Sequence, residues 1–294
     1  MISIENQLLK FKKTFDIESK KELSKIAKYE NNIYNSIQYS FSTGGKRLRP
    51  FLIFFFGKLL KINQKTLFDL SMSAELTHTY SLIHDDLPAM DNDDYRRGKP
   101  TVHKKFNEAV AILCGDALQV ISFYKISNSK NISEKNKSKI INLLCDSSGV
   151  RGLISGQSLD LKMDNKSSLS KIDIMQDLKT GALFRFCFVS IGIIKNLPVK
   201  KINILNKISI EFGKIFQTTD DLLDLTGDYK KVGKKLRKDF NKPNIAYKLG
   251  RDKCLNKISK HQKKFINYCK LFGFNEKEIT EISLLMNYVS NRDF

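Results

Sequence analysis

Residues 204–225 read ILNKISIEFGKIFQTTDDLLDL, and the spacing of their apolar side chains decides the fold class. The positions that recur every three or four residues are Ile204, Ile208, Phe212, Ile215, Thr219 and Leu222. This repeat is that of one face of an α-helix, so the segment is predicted to be helical along its whole length.

Most of the chain follows the same repeat, and no segment sustains the alternation of a β-strand. Further helices are predicted over residues 66–86, 104–126, 138–162, 169–195 and 254–272. Breaks are predicted at residues 42–45, 88–100, 127–133 and 196–200. No internal repeat or long linker divides the 294 residues. We therefore predict an all-α protein with one domain, residues 1–294. Its ten or more helices form a large bundle around a central substrate cavity, because the chain is long for a single solid core.

Composition excludes several classes of protein. Hydrophobic residues make up 41% of the chain, so it is not intrinsically disordered. No run approaches the roughly 18 apolar residues of a membrane span, so stable membrane insertion is not expected. The first 22 residues mix charges of both signs and contain no apolar core of a secretory signal. The five cysteines are odd in number and widely spaced, which favours a reducing compartment, and we predict a cytoplasmic protein.

The formal net charge of +20 has two explanations. Lysines are scattered along nearly the whole chain, as biased base composition of the coding sequence would produce. A positive field could instead attract anionic small-molecule substrates. A nucleic-acid-binding protein is disfavoured, because no recognisable binding motif accompanies the charge.

Two acidic clusters stand out against this positive background. The first is HDDLPAMDNDD, residues 84–94, followed by Arg96 and Arg97. The second is DDLLD, residues 220–224, in which Asp220 and Asp224 share one helix face. Like charges one turn apart destabilise a helix, whereas a cation bound between them makes their contribution to helix stability favourable. Mg²⁺ is typically held by one or two carboxylates plus substrate phosphates, so two such clusters predict a diphosphate site bridged by metal.

These segments resemble those of the trans-polyprenyl diphosphate synthases, with the bacterial farnesyl diphosphate synthases as the nearest branch. The resemblance rests on five blocks that occur in the family's order. They are GGKRLRP (44–50), SLIHDDLPAMD (81–91) with RRG (96–98), GQSLDL (156–161), KTGAL (179–183) and FQTTDDLLD (216–224). The resemblance implies an isoprenoid-synthase helical bundle and, in the family's usual form, a homodimer.

The implied reaction joins isopentenyl diphosphate to an allylic diphosphate, dimethylallyl or geranyl, to give farnesyl diphosphate. The implied metal ligands, for three Mg²⁺ ions, are Asp85, Asp86, Asp91, Asp220 and Asp224. The residues implied to bind the allylic diphosphate are Lys179, Lys234, Lys242 and Arg96. Isopentenyl diphosphate would be bound by Lys46, Arg49, His78 and Arg97. Thr180 and Gln217, with Lys179, form the implied catalytic set around the allylic cation, and Asp160 would orient Lys179.

Tyr80 is predicted to limit product length. It precedes Asp85 by five residues, about 7.5 Å along a helix axis. A bulky side chain at that depth would close the cavity beneath a C15 chain, as the resemblance also implies. The alternative is that Tyr80 is an ordinary residue of the hydrophobic core and does not limit product length.

The chain departs from the family pattern after the second aspartate cluster. The stretch KKLRKDFNKPNIA, residues 234–246, has Asn241 in place of a glycine, Asn244 in place of a hydroxyl residue and Ala246 in place of a proline. Three alternatives follow for the function. They are a weakly active or non-catalytic subunit of a heteromeric synthase, a C20 geranylgeranyl diphosphate synthase, and a terpene cyclase. The last is disfavoured because a cyclase needs no second diphosphate site.

Overall fold

The computed structural model describes residues 3–26, 28–226 and 243–291, and these are almost entirely α-helical. The prediction of an all-α protein with ten or more helices is confirmed. Among the described residues, strand occurs only as an antiparallel pair of two-residue strands, β1 (Tyr95–Arg96) and β2 (Lys99–Pro100).

The chain forms two compact units. Unit 1 contains residues 1–58 and 63–141, and unit 2 contains residues 59–62 and 142–294. The prediction of one domain over residues 1–294 stays a prediction, since compactness alone does not show whether each unit folds by itself.

Unit 1 is built on a long helix that carries most of the first predicted site. Its helices are α1 (Ile4–Leu23), α2 (Asn31–Ser42), α3 (Leu48–Leu59), α4 (Gln64–Asp85), α5 (Val102–Lys105) and α6 (Glu108–Ser127), and α7 (Glu134–Ser148) begins in it. The side chain of Asn63 accepts a hydrogen bond from the Thr66 amide and so caps the start of α4. The apolar face of α4, with Met72, Leu76 and Tyr80, packs into a core that also contains Phe15 and Phe41.

Helix α6 is the one described helix that is long and apolar enough to cross a membrane, judged by length and composition alone. Core helices of proteins without any membrane contact pass the same test. Buried residues of α6, including Cys114 and Leu118, belong to the unit 1 core. Its opposite face leaves Leu113, Val120 and Tyr124 exposed.

Unit 2 carries the second predicted site. Its helices are α8 (Leu153–Lys162), α9 (Leu169–Gln176), α10 (Ala182–Ile194), α11 (Val199–Thr226), α12 (Ile245–Leu249), α13 (Arg251–Phe272) and α14 (Glu276–Ser290). A π-helical turn, Asp177–Gly181, joins α9 to α10 without a break. Phe184, Phe188, Phe212 and Phe265 pack ring against ring between α10, α11 and α13.

Two predicted helices are wrong in extent. Residues 104–126 are interrupted at residues 106–107, between α5 and α6. Residues 138–162 are not continuous, because the chain leaves helical geometry between α7 and α8. Gly152 has φ −147° and ψ −121°. A Cβ atom there would lie 2.2 Å from the Ser147 carbonyl oxygen, so the bend requires glycine. The apolar repeat continues across this bend, which is why periodicity alone misses it.

Candidate active site

The first aspartate cluster folds back onto the end of α4. The Asp91 amide donates to the Asp85 carbonyl oxygen at 2.8 Å, and the Asp93 amide donates to that of Asp86 at 3.2 Å. The loop therefore brings the predicted ligands Asp85 and Asp91 next to each other. Asp85 and Asp86 are both buried, so their charges lie in a medium where a cation is attracted strongly.

Arg96 is fixed by Asp86. The Arg96 Nε donates to both carboxylate oxygens of Asp86 at 2.8 Å, and the terminal Nη2 also contacts Oδ1. The two-stranded hairpin carries Arg96 to this position. The ion pair fixes the position of the Arg96 guanidinium, and the predicted roles of Arg96 in phosphate binding and of Asp86 in metal binding stay predictions.

The glycine-rich motif at residues 44–50 supports Arg97. Arg97 Nη1 donates to the Gly44 carbonyl oxygen. Gly45 has φ +129°, and a Cβ atom on it would lie 2.6 Å from Arg97 Nη1. The glycines thus provide both a left-handed turn and space for the guanidinium.

Arg47, inside the same motif, has a structural role. Its Nε donates to Asp16 and its Nη1 to Glu75, both at 2.7 Å, and its side chain is buried. The sequence motif does not separate this arginine from its neighbours Lys46 and Arg49, which the resemblance places at the isopentenyl diphosphate. Lys46 is exposed and Arg49 is half-buried.

His78 lies among positive charges on α4. Burial, followed by the charges of Arg49 and Arg97, holds the pKa of His78 well below its usual 6.5. The imidazole is therefore neutral at pH 7. Three of the four predicted isopentenyl diphosphate ligands, His78, Arg49 and Arg97, are thus close enough to interact, and such a cluster favours an anionic ligand.

Tyr80 lies in the unit 1 core with 4% of its surface exposed. Its ring meets that of His84 edge to face, with the centroids 5.9 Å apart. Burial and the neighbouring Asp85 raise the pKa of Tyr80 to about 12, so the phenol stays protonated. Its role in product length stays a prediction.

In unit 2, the π-helical turn presents Lys179 and Thr180. Lys179 Nζ lies 2.6 Å from Asp160 Oδ2 on α8, so the prediction that Asp160 orients Lys179 is confirmed. Gly156 makes this approach possible, because a Cβ atom on it would lie 2.2 Å from the Lys179 backbone nitrogen. π-Helical turns within α-helices occur often at functional sites.

A hydrogen-bonded chain links the π-helical turn to α11. The Thr180 hydroxyl donates to Gln217 Oε1 at 2.9 Å, and Gln217 Nε2 donates to Asp221 Oδ1 at 2.9 Å. Gln176 Nε2 donates to the other Asp221 oxygen at 2.8 Å. Because Asp221 only accepts when ionised, it fixes the orientation of the Gln217 amide and so turns Oε1 toward Thr180.

The three carboxylates of the second aspartate cluster differ in burial. Asp221 is buried, and burial raises its pKa to about 6, although bonds from Gln217 and the Ile245 amide oppose that rise. The predicted ligands Asp220 and Asp224 are half-buried. Asp221 therefore acts inside unit 2, a function that the sequence motif alone does not reveal.

Asn244, which stands where the family pattern has a hydroxyl residue, is the N-cap of α12. Its side-chain oxygen accepts from the Ala246 and Tyr247 amides, and so caps α12. Its Nδ2 donates to the Asp221 carbonyl oxygen at 3.3 Å and approaches Asp224 Oδ2 at 3.4 Å. At this departure from the family pattern, the chain therefore has a side chain that caps a helix.

A comparison with known proteins identifies the family. The model of the polyprenyl synthetase family matches residues 30–276. This chain belongs to the polyprenyl synthetase family. The farnesyl diphosphate synthase of Micrococcus luteus is 42% identical over 226 residues, which is 76% of this chain and 77% of that protein.

Solved structures agree with this family membership. The geranyltransferase from Legionella pneumophila superposes with a TM-score of 0.86 at 31% identity over 98% of both chains. The geranyltransferase from Helicobacter pylori, complexed with magnesium and isoprenyl diphosphate, gives 0.82 at 27% identity over 97% of both chains.

The donor set of this polyprenyl synthetase fits Mg²⁺. Among residues 3–26, 28–226 and 243–291, no three His, Cys, Asp or Glu side chains already form a metal cluster. Mg²⁺ does not need one, since it keeps waters and takes one or two carboxylates plus phosphate oxygens. Asp85 with Asp91, and Asp220 with Asp224, are pairs of that kind. The predicted phosphate ligands Lys234 and Lys242 lie outside the described residues.

Gln157 is a candidate site residue that the motif reading did not single out. It lies on the same face of α8 as Asp160, one turn earlier, and 4% of its surface is exposed. Neither amide atom makes a hydrogen bond to any described residue. Because an unsatisfied buried amide is costly, this side chain is suited to a ligand or an ordered water.

Proposed function

We propose that this chain is a Mg²⁺-dependent prenyltransferase that condenses isopentenyl diphosphate with dimethylallyl or geranyl diphosphate to give farnesyl diphosphate. The observation that carries the proposal is the arrangement on the π-helical turn. Lys179 is held by Asp160, and Thr180 is bonded to Gln217 on the helix of the second aspartate motif. The family and its farnesyl diphosphate synthase members support the same reaction.

The reaction begins with cleavage of the allylic carbon–oxygen bond, and the diphosphate leaves with the electron pair. Lys179 and Arg96 stabilise the negative charge that develops on the leaving group, because both cations are already positioned by carboxylates. Bound Mg²⁺ supplies further charge neutralisation of the diphosphate. Asp85, Asp91, Asp220 and Asp224 are the residues that we propose to hold it, as three ions.

The allylic cation is then attacked by the double bond of isopentenyl diphosphate, forming the new carbon–carbon bond. Lys46, Arg49, His78 and Arg97 bind the diphosphate of that second substrate. The Thr180 hydroxyl and Gln217 Oε1 offer oxygen atoms to the cation. A proton is finally lost to the released pyrophosphate, so no protein nucleophile is required.

The test incubates the pure protein with isopentenyl and geranyl diphosphates, with and without Mg²⁺, and measures the chain length of the product. A Mg²⁺-dependent C15 product supports the proposal. A C20 product identifies a geranylgeranyl diphosphate synthase. A folded protein that binds diphosphate but forms no product points to the non-catalytic subunit of a heteromer.

We further propose a homodimer assembled through α6. Its exposed face carries Ile112, Leu113 and Val120, an apolar surface of the kind that protein interfaces cover. A second copy is favoured over membrane insertion because Asp116 places a carboxylate in the middle of the apolar stretch of this helix. Sedimentation velocity should show a dimer, and Val120→Glu should yield monomers.

The protein is proposed to work in the cytoplasm. All five cysteines carry free thiols, four of them buried, as expected in a reducing compartment. Fractionation of cells with an antibody to the protein tests this location.

A further inference from the structure

Unit 1 contains a cavity of about 710 Å³ that no part of the proposed reaction uses. This volume lies within the range of small-molecule sites, roughly 300–1,000 Å³. The cavity is lined by α1, α3, the first turns of α4 and the end of α6. Asp69 in its wall precedes Asp85 by 16 residues on α4, which is about 24 Å along the helix. An occupant of the cavity therefore lies far from the aspartates at the end of that helix.

One wall of the cavity is aromatic. Phe11, Phe54 and Phe68 are half-buried, and Phe15 lies beneath them. The ring centroids of Phe11 and Phe54 are 4.8 Å apart, and those of Phe15 and Phe68 are 5.8 Å apart. This wall offers a continuous apolar surface for a hydrocarbon chain.

The acidic residues at the base are already neutralised within the protein. Lys125 Nζ lies 3.1 Å from Glu22 and 3.6 Å from Asp69. Asp69 Oδ2 also accepts from the Ser129 hydroxyl at 2.5 Å and from Asn131 Nδ2 at 3.0 Å. The base therefore offers little attraction to a cationic ligand.

The rim of the cavity carries positive charges that are not neutralised by ion pairs with other described residues. Lys65, in the first turn of α4, and Lys130, just after α6, both line the cavity and are exposed. Within the described ranges neither forms an ion pair, and the one other unpaired charge of the lining is Glu18. The positive end of the α4 dipole adds to the two lysines. The rim thus favours an anion.

We propose that this cavity is a second binding site, which takes a single alkyl or prenyl chain ending in a phosphate. The chain lies on the aromatic wall formed by Phe11, Phe54 and Phe68. The phosphate binds Lys65 and Lys130. None of the described residues that line the cavity belongs to the proposed catalytic set, and the test does not depend on activity.

The protein contains no tryptophan, so one introduced indole reports on a single place. In Phe54→Trp, monomeric dodecyl phosphate should produce a saturable change in indole emission. The control Tyr29→Trp, at a residue that is 97% exposed, should show none. Phe11→Trp serves as a second reporter if the indole at position 54 fills the cavity.

Charge reversal tests the phosphate subsite in the same reporter background. Lys65→Glu combined with Lys130→Glu should weaken dodecyl phosphate binding by about tenfold or more, the loss of two charge-assisted contacts. Lys58→Glu, at an exposed lysine outside the cavity, should change the affinity for dodecyl phosphate by no more than about twofold. Circular dichroism checks that each variant is folded.

Three results would overturn the proposal. The first is the absence of a saturable emission change in both reporters. The second is that the Lys65→Glu, Lys130→Glu variant binds dodecyl phosphate as tightly as its reporter parent. The third is that dodecanol, which has the chain without the phosphate, binds as tightly as dodecyl phosphate. Inorganic phosphate alone should bind weakly, and tight binding of it would overturn the role of the aromatic wall.

Discussion

At the scale of single residues, the proposed site is a set of charged side chains that are each held by a neighbour. Asp160 holds Lys179, and Asp86 holds Arg96. Asp221 holds Gln217, which in turn accepts from Thr180. Long cations lose rotamer freedom when they bind a ligand, so positioning them beforehand lowers that cost. Charges fixed in advance also stabilise a leaving group without reorganisation during the reaction.

Tyr80→Ala should lengthen the product from C15 to C20 or beyond. The side chain lies five residues before Asp85 on α4, and its removal opens space in the direction away from the aspartates. Product chromatography after incubation with isopentenyl and geranyl diphosphates measures the change. Tyr80→Phe, which keeps the ring, should still give C15. Unchanged chain length in Tyr80→Ala would mean that Tyr80 is core only.

Gln157→Leu should raise stability while lowering activity. The substitution removes a buried amide that has no partner among the described residues, which should add about 1–3 kcal/mol to the free energy of unfolding. If the amide binds substrate or its water, kcat should fall about tenfold or more.

Urea unfolding and steady-state kinetics measure the two effects of Gln157→Leu separately. Ser158→Ala, at an exposed position of the same helix, is the control and should alter neither. Full activity in Gln157→Leu would rule out a ligand for this side chain.

At the scale of elements, the long helices could be predicted and their junctions could not. Helix α11 follows from an apolar repeat sustained over five or more turns. The bend at Gly152 does not follow, because the repeat runs across it while steric contact with Ser147 decides the geometry. The pairing of Lys179 with Asp160 could be predicted from motif order, whereas the inward orientation of Asp221 depends on Gln176 and Ile245, which are distant in sequence.

The cap of α12 gives a prediction about an element. Asn244→Ala should lower the free energy of unfolding by about 1–2 kcal/mol, because two amides at the helix start lose their acceptor. Asn244→Ser, which restores a capping oxygen, should recover most of that loss. Both are measured by urea denaturation. Equal stability of Asn244→Ala and the parent would show that this cap contributes nothing.

At the scale of the whole molecule, the chain carries a net charge of +20. The protonation of individual groups within it makes the free energy of unfolding depend on pH. His78 is neutral in the folded protein, with a pKa below the 6.5 of the unfolded chain. The unfolded state therefore binds more protons below pH 6.5. The contribution of His78 to stability is complete above that pH and is lost as the pH falls below it.

Asp221 acts in the opposite direction, because its raised pKa of about 6 lets the folded protein bind a proton first as the pH falls. The pH dependence of the parent protein alone therefore does not isolate His78. A comparison with His78→Gln does, since Asp221 is unchanged in that variant. Between pH 7 and pH 5, the parent should lose more free energy of unfolding than His78→Gln. Urea denaturation at both pH values measures the difference, and parallel losses would show that His78 titrates alike in the folded and unfolded chains.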